Sequence, residues 1–113
     1  MANAEFSDDA QFRLAVSAIL DELLEQIDEI DSDDLDPRLT SGNLQILFEE
    51  SNSTFVLSQQ TPTHELWLSA NLRAWHFVRK SGQWIERDTG EPMTLLLSRL
   101  FSEKVGSSVE FEL

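Results

Sequence analysis

Residues 12–36, FRLAVSAILDELLEQIDEIDSDDLD, carry two overlapping patterns that decide how the fold begins. The first pattern is apolar, because large hydrophobic residues recur every three or four positions, at Phe12, Val16, Ile19, Leu23, Ile27 and Ile30. At about 100° of rotation per residue, these six side chains lie within a stripe roughly 80° wide. The pattern predicts an amphipathic helix whose apolar side packs on a core.

The second pattern is acidic. Nine carboxylates and no Lys or Arg occur within residues 21–36. On the helical wheel, the acids inside the predicted helix lie opposite the apolar stripe. Like charges at this density repel one another and destabilise a compact fold unless something cationic meets them. We therefore predict a ridge of carboxylates on the solvent side of the first helix, continuing into an acidic loop.

The overall composition limits the partners. The chain has 113 residues, 21 acids, 8 Lys or Arg and a net charge of −13, which repels both nucleic acid phosphates and anionic lipid. Metal cations or basic proteins are the expected partners. Cysteine is absent, so the chain can supply no disulfide and no thiolate metal ligand, which fits a reducing cytoplasm. The length predicts one domain, 1–113, and no run of apolar residues predicts a membrane span.

Beyond the acidic loop, the hydrophobic period changes to that of strands. Pro37 disfavours a continuing helix, and Ser41-Gly42-Asn43 has turn chemistry. Short extended runs then follow one another, separated by turn residues, at 44–48, 54–58, 65–69, 75–78 and 84–86. This spacing is typical of antiparallel strands joined in a meander.

From Pro92 the spacing is helical again, with Met93, Leu96, Leu97, Leu100 and Phe101 on one side and Gly106 near the end. The order is helix, strands, helix. We predict an α+β fold, a two-layer sandwich in which two helices pack on one face of a five- to six-stranded antiparallel sheet. The other face of the sheet is left to solvent.

That arrangement makes Trp67 informative. If Leu66 and Leu68 face the helices, alternation along the strand turns Trp67 away from the core and predicts an exposed indole. A single surface aromatic is often without function, yet Trp is over-represented among residues that dominate binding interfaces. We favour a binding role for Trp67, and core packing for Trp75 and Trp84.

Familiar catalytic and metal motifs are not found. The stretch 31–36 resembles the start of a calcium loop, but Leu35 occupies a ligand position and Gly42 replaces the closing Glu, so we reject an EF-hand. His64 and His76 lack a partner at ligand spacing, which predicts a loop residue and a sheet-surface residue, although either could lend a ligand. A conventional enzyme is not expected, because no catalytic triad order or phosphate-binding glycine loop occurs.

The stretch VLSQQTPTHELWLS at 56–69, followed by Trp75-His76-Phe77 and Gln83-Trp84, resembles the signature region of the frataxin family, most closely its bacterial, CyaY-type branch. The resemblance covers nearly the whole chain, from the acidic first helix to Val109-Glu110-Phe111. It implies a frataxin-like fold and a cytoplasmic, bacterial, iron-binding accessory protein of iron–sulfur cluster assembly.

The resemblance also implies functional residues. Iron, Fe²⁺ or Fe³⁺, is expected to bind weakly to the acids Glu25, Asp28, Glu29, Asp31, Asp33, Asp34 and Asp36. Other divalent cations can bind the same oxygen donors. The partners implied are a cysteine desulfurase and an iron–sulfur scaffold protein, contacted through Trp67, Gln60 and Ser58. The protein is expected to be a monomer that can form iron-dependent oligomers.

Two functions of different class stay open from the sequence. The first is the iron-binding regulator just described. The second is an interaction module whose acidic face contacts a basic partner without a functional metal. A ferroxidase-like enzyme is a weaker third, because a stable di-iron centre normally uses inward Glu and His ligands in a helix bundle.

Overall fold

A computed structural model of the chain describes residues 5–113, and residues 1–4 of the predicted domain lie outside this part. The elements are α1 (Asp9–Asp28), β1 (Leu35–Thr40), β2 (Asn43–Phe48), β3 (Ser53–Gln60), β4 (Glu65–Ala70), β5 (Arg73–Lys80), β6 (Gln83–Glu86) and α2 (Met93–Val105). A short 3₁₀ turn, Thr61–Thr63, joins β3 to β4. The predicted order of helix, strands and helix is confirmed.

The first helix begins at a reciprocal cap. The Asp8 carboxylate accepts a hydrogen bond from the backbone N–H of Gln11 at 2.8 Å, and the side chain of Gln11 accepts one from the N–H of Ser7 at 3.2 Å. Two N–H groups that the helix itself cannot satisfy are thereby paired, which fixes where α1 starts.

The buried side of α1 differs slightly from the predicted stripe. It consists of Phe12, Val16, Leu20, Leu23 and Ile27, so that Leu20 is fully buried where Ile19 was expected. At about 100° per residue, Ile19 falls just outside the arc that these five residues span. Ile30 is half-buried and follows the end of the helix at Asp28. Ile19 and Ile30 nevertheless pack against the core cluster as partly buried residues, so the predicted apolar stripe is confirmed, with Leu20 as an additional buried position and with the helix ending before Ile30.

All six strands form one antiparallel sheet in the order β1-β2-β3-β4-β5-β6. Each strand pairs with the next in the chain, as a meander requires. Pro37 lies in β1, an edge strand, where a residue without a backbone N–H is tolerated. Alternate side chains of the inner strands point into the core, among them Leu57, Leu66 and Phe77.

The second helix closes the same core. Gly106 ends α2 with φ of 75°, a backbone conformation that glycine adopts without strain. The buried residues of both helices belong to one hydrophobic cluster with the inward side chains of the sheet. Trp75 and Trp84 are part of this cluster, which confirms their predicted core role. The structure thus has the predicted two-layer architecture, with six strands. Neither helix described here is both long and apolar enough to cross a membrane.

One hairpin turn is backbone-strained. Asn71 and Leu72 join β4 to β5 with φ of 51° and 63°, as a two-residue turn of type I′ requires. Asn tolerates this left-handed conformation, whereas Leu does not favour it. Leu72 is also fully exposed, at 106% relative accessibility, so no packing compensates for the strain.

Candidate functional site

The predicted metal-binding acids lie along one edge of the molecule, and we call Glu25, Asp28, Glu29, Asp31, Asp33, Asp34 and Asp36 the acidic ridge. Glu25 and Asp28 are in the last two turns of α1, and Glu29 caps that helix. The next three acids lie in the loop that leads to β1, and Asp36 is in β1 itself. All but Asp34 and Asp36, which are half-buried, are exposed.

The ridge begins at the unfavourable end of a helix. The C-terminal end of α1 carries unpaired backbone carbonyls and therefore a partial negative charge of roughly half an electron. Asp28 and Glu29 add two carboxylates there, and the last turn contains no basic residue. A cation placed at this end would relieve both kinds of repulsion.

Two ridge acids already have structural roles. Asp34 accepts a hydrogen bond from the backbone N–H of Glu50, and its own N–H is bonded to the Ser32 hydroxyl at 3.2 Å. Asp36 forms an ion pair with Arg38 at 3.1 Å. The remaining acids of the ridge are accordingly the better candidates for holding an ion.

The C-terminal segment adds acids that the sequence-based site did not include. The Gln26 amide donates to the backbone carbonyl of Glu112 and accepts from its N–H at 3.0 Å, which fastens this segment beside α1. Gln26 and Glu112 line a cleft of about 440 Å³, together with Glu29, Asp31 and Glu110. The alternation of buried Val109 and Phe111 with exposed Glu110 and Glu112 was the signal in the sequence that could have revealed them.

The ridge carboxylates do not converge on one point. Within residues 5–113, the group of three ligating side chains whose donor atoms all lie within 4.8 Å of one another belongs to a different part of the molecule. Spread-out carboxylates with water completing the coordination bind cations weakly. The geometry therefore fits several shallow sites better than one enclosed site.

The three predicted partner-binding residues lie together on the outward face of the sheet. Ser58 is directly opposite Trp67 in the β3–β4 ladder, and Trp67 is directly opposite His76 in the β4–β5 ladder. Gln60 donates a hydrogen bond to the Ser58 hydroxyl at 3.2 Å. Since Leu66 and Leu68 are buried, the predicted orientation of Trp67 is confirmed.

The prediction of an exposed indole is wrong, however, because Trp67 is half-buried. Its indole N–H donates to a Glu65 carboxylate oxygen at 2.8 Å, and the ring meets His76 edge to face with centroids 4.7 Å apart. Arg87 donates to both oxygens of the same Glu65 carboxylate at 3.1 Å. Glu65 in the same strand and His76 across the ladder thus hold the indole in one orientation, which lowers the entropic cost of using it as a binding anchor.

Glu65 itself is buried, unlike a typical sheet-surface acid. Burial on its own raises the pKa of this carboxyl, but the hydrogen bonds from Trp67 and Arg87 outweigh burial and hold the pKa below its ordinary value. The same hydrogen bond from Arg87 to Glu65 raises the pKa of the guanidinium. Glu65 and Arg87 are therefore both charged, and Glu65, held by Arg87, fixes the indole N–H of Trp67.

His64 follows the 3₁₀ turn, as predicted for a loop residue, yet its side chain is buried. The ring stacks on Phe12 with centroids 4.8 Å apart, and Nε2 lies 2.7 Å from an Asp9 carboxylate oxygen. His64 thereby connects the sheet to the start of α1. Only the tertiary packing of α1 on the sheet determines this burial, so no local signal in the sequence could show it.

Comparison with known structures supports the same fold. A frataxin from Psychromonas ingrahamii, described as a model for stability modulation within the CyaY family, superposes with a TM-score of 0.86 at 23% identity, over 94% of this chain and 99% of that one. A trimeric frataxin from the yeast Saccharomyces cerevisiae, complexed with ferrous iron, has a TM-score of 0.71 at 23% identity, over 81% and 86% of the two chains. A second trimeric yeast frataxin, with its full-length N-terminus, has a TM-score of 0.67 at 21% identity, over 95% and 87%.

The sequence itself carries the family pattern as well. A family model for the frataxin-like domain matches residues 5–107, which is most of the chain. The matched part runs from before α1 to just beyond α2 and so includes the whole sheet, the acidic ridge and Trp67. This chain therefore belongs to the family of frataxin-like, CyaY-type proteins.

Proposed function

We propose that this protein is an iron-binding accessory protein of iron–sulfur cluster assembly. In this role it holds Fe²⁺ or Fe³⁺ weakly on the acidic ridge and contacts a cysteine desulfurase and its scaffold protein. Iron binding and iron–sulfur assembly are the activities for which the family is known. The observation that carries the proposal is the crowding of exposed carboxylates at the negative end of α1, with no base in its last turn.

The donor chemistry supports iron as cargo. Exposed carboxylates are hard oxygen ligands, which suit Fe³⁺ and Fe²⁺ and also accept Ca²⁺, Mg²⁺ or Mn²⁺. Because the ridge does not converge, any ion held there keeps part of its water shell and can leave readily. Weak, reversible binding is what delivery to another protein requires.

The outward sheet surface supports the contact with partners. Trp67 is a large aromatic residue held in place by Glu65 and His76 and flanked by Ser58 and Gln60. Anchors of this kind account for most of the binding energy at many interfaces. With a net charge of −13, the protein would be attracted to a partner with a basic surface and not to nucleic acid.

We also propose that the protein is a monomer that can associate when iron is bound. The trimeric state of the two similar yeast frataxins supports the second half of this proposal. Neutralising the ridge with a cation would remove part of the repulsion that keeps copies of the chain apart.

The second candidate is an acidic interaction module without a functional metal. The structural roles of Asp34 and Asp36 favour it, because they withdraw two acids from the ridge. An anaerobic Fe²⁺ titration followed by NMR separates the two candidates. Paramagnetic broadening that begins at Glu25, Asp28 and Glu29 supports the iron-binding function.

The double variant D28N/E29Q gives this test a matched control in D21N/E22Q. Both variants convert an adjacent Asp-Glu pair of the same helix to amides, two turns apart. Only D28N/E29Q should bind Fe²⁺ more weakly than the parent. Equal Fe²⁺ binding by the parent and D28N/E29Q would show that the ridge is not the site, and the interaction module would then be the better account.

A further inference from the structure

A cluster of His76, Glu86 and Asp88 lies away from the acidic ridge, next to the outward face of the sheet. His76 is in β5, Glu86 is the last residue of β6, and Asp88 lies in the turn that follows. One potential ligand atom from each of the three lies within 4.8 Å of the other two. In the β5–β6 ladder Glu86 lies opposite Phe77, the neighbour of His76, and the N–H of Arg87 donates to the His76 carbonyl at 2.8 Å, so the turn after β6 lies beside His76.

Glu86 is fixed before any ligand arrives. It is only 3% exposed, and its carboxylate accepts hydrogen bonds from three backbone N–H groups. One oxygen accepts from Asp88 at 2.8 Å and Thr89 at 3.1 Å, and the other accepts from His76 at 2.9 Å. A carboxylate has about four lone-pair directions, so three N–H donors leave roughly one for a further ligand. Burial alone raises the pKa of Glu86, but these backbone donors outweigh it and the pKa lies below its ordinary value.

The other two members can close around an ion. His76 is half-buried and rests edge to face against Trp67, which restricts the imidazole to the neighbourhood of Glu86. Asp88 is exposed, so its side chain has room to change rotamer. Bonds of about 2.0–2.2 Å to one metal place tetrahedral ligand atoms roughly 3.4 Å apart, so His76 and Asp88 need to move by about an ångström.

The surrounding charge favours a cation. Glu86, Asp88 and the adjacent Glu65 carry three negative charges, while Arg87 carries one positive charge that is committed to both oxygens of Glu65. Arg87 lies farther from Asp88, with Nε 3.8 Å from Oδ1. The three carboxylates and the one guanidinium sum to a net charge of −2, which suits a divalent ion.

We propose that His76, Glu86 and Asp88 form a second metal site, one that binds a divalent transition-metal ion through one imidazole nitrogen and two carboxylate oxygens. Mixed nitrogen and oxygen donors select ions such as Zn²⁺, Co²⁺ or Ni²⁺ over Ca²⁺ and Mg²⁺, which prefer oxygen alone. Because the His76 ring meets Trp67 edge to face, an ion held by His76 would lie close to the indole. This site is separate from the acidic ridge, and a failure of the iron-binding proposal would not affect it.

Co²⁺ is the probe of choice, because it is paramagnetic and accepts this donor set. In an NMR titration of the full chain, Co²⁺ should first broaden the amide signals of His76, Asp88 and the indole N–H of Trp67. Asp88→Asn is the primary variant, since Asp88 is exposed and the amide preserves its shape. His76→Gln is the second variant, and the ridge variant D28N/E29Q is the control.

Loss of an outer-sphere partner weakens metal binding by about 10–100-fold, so loss of a direct ligand should cost at least about tenfold. We expect D88N and H76Q to shift the midpoint of the Co²⁺ titration at Trp67 by that factor, while D28N/E29Q leaves it unchanged. An unchanged midpoint in both D88N and H76Q would overturn the proposal. Displacement of Co²⁺ from these signals by equimolar Ca²⁺ would also overturn it, because a site with an imidazole ligand should not prefer calcium.

Discussion

Replacing Asp28 and Glu29 by their amides should make the metal-free protein more stable. These acids occupy the last turn and the cap of α1, beside carbonyls that already carry partial negative charge. An acid at this end of a helix costs about 0.3–1 kcal/mol at low ionic strength. For D28N/E29Q the expected gain in the free energy of unfolding is therefore about 0.6–2 kcal/mol. In a domain of this size, each kcal/mol corresponds to roughly 3–6 °C in Tm.

The matched variant D21N/E22Q separates the helix-end effect from general self-repulsion. It also removes one Asp and one Glu charge from α1, but two turns before the end of the helix. Gln at residue 22 keeps the oxygen that accepts a hydrogen bond from Gln26 at 3.0 Å. Thermal and urea unfolding should show a clearly smaller gain for D21N/E22Q than for D28N/E29Q. The difference should shrink at about 1 M salt, where the screening length falls to about 3 Å. Equal gains in both variants, or a loss of stability in D28N/E29Q, would refute the argument from the helix end.

Three other substitutions test the sheet. Trp67→Ala should weaken binding to a cluster-assembly scaffold by about 2 kcal/mol or more. In thermal melts the same variant should lose less stability than the ~3–5 kcal/mol typical of a core aromatic. A large loss of stability with unchanged binding would contradict this prediction. Folding lowers the pKa of Glu65 and Glu86, so both contribute stability that is complete above about pH 4.5 and is lost as pH falls through the folded pKa. Glu86→Gln should therefore flatten the acid side of a plot of Tm against pH, and an unchanged slope would count against it. Leu72→Gly should raise Tm, because Gly after Asn71 removes a left-handed Leu that costs about 1–2 kcal/mol; an unchanged or lower Tm would mean that the turn is not strained.

The fold could be predicted because its signals are local. Alternation around Leu66 and Leu68 decides which side of β4 meets the helices, and a change of period at Pro37 separates helix from sheet. These patterns constrain each strand independently, so an error in one does not spread to the next. The sequence specifies the centre of the buried arc of α1 less strongly, since Ile19 and Leu20 are adjacent and both apolar. Which of them is buried depends on how the helix crosses the sheet.

The parts of the site that depend on register could not be predicted. Trp67 is half-buried because His76 lies directly across the β4–β5 ladder, and sequence distance alone does not show that pairing. Glu86 and Asp88 meet His76 for the same reason, through the β5–β6 hairpin and the turn after it. The ridge acids were visible because they lie close together in the chain, whereas in the second cluster His76 is ten or more positions from both Glu86 and Asp88.

Iron binding and folding should be linked through the acids at the end of α1. An ion that binds only the folded chain stabilises it by RT ln(1 + [L]/Kd), which is about 1.4 kcal/mol when the free ion is at ten times Kd. That is comparable with the gain expected from removing Asp28 and Glu29. The order of stability should therefore reverse under anaerobic conditions: D28N/E29Q is the more stable protein without metal, and the parent becomes the more stable one as Fe²⁺ is added. The Tm of D21N/E22Q should rise with that of the parent as Fe²⁺ is added, because the acidic ridge of this variant is intact. Parallel Tm curves for the parent and D28N/E29Q over the whole Fe²⁺ range would mean that the charges which strain this helix are not the ones that hold iron.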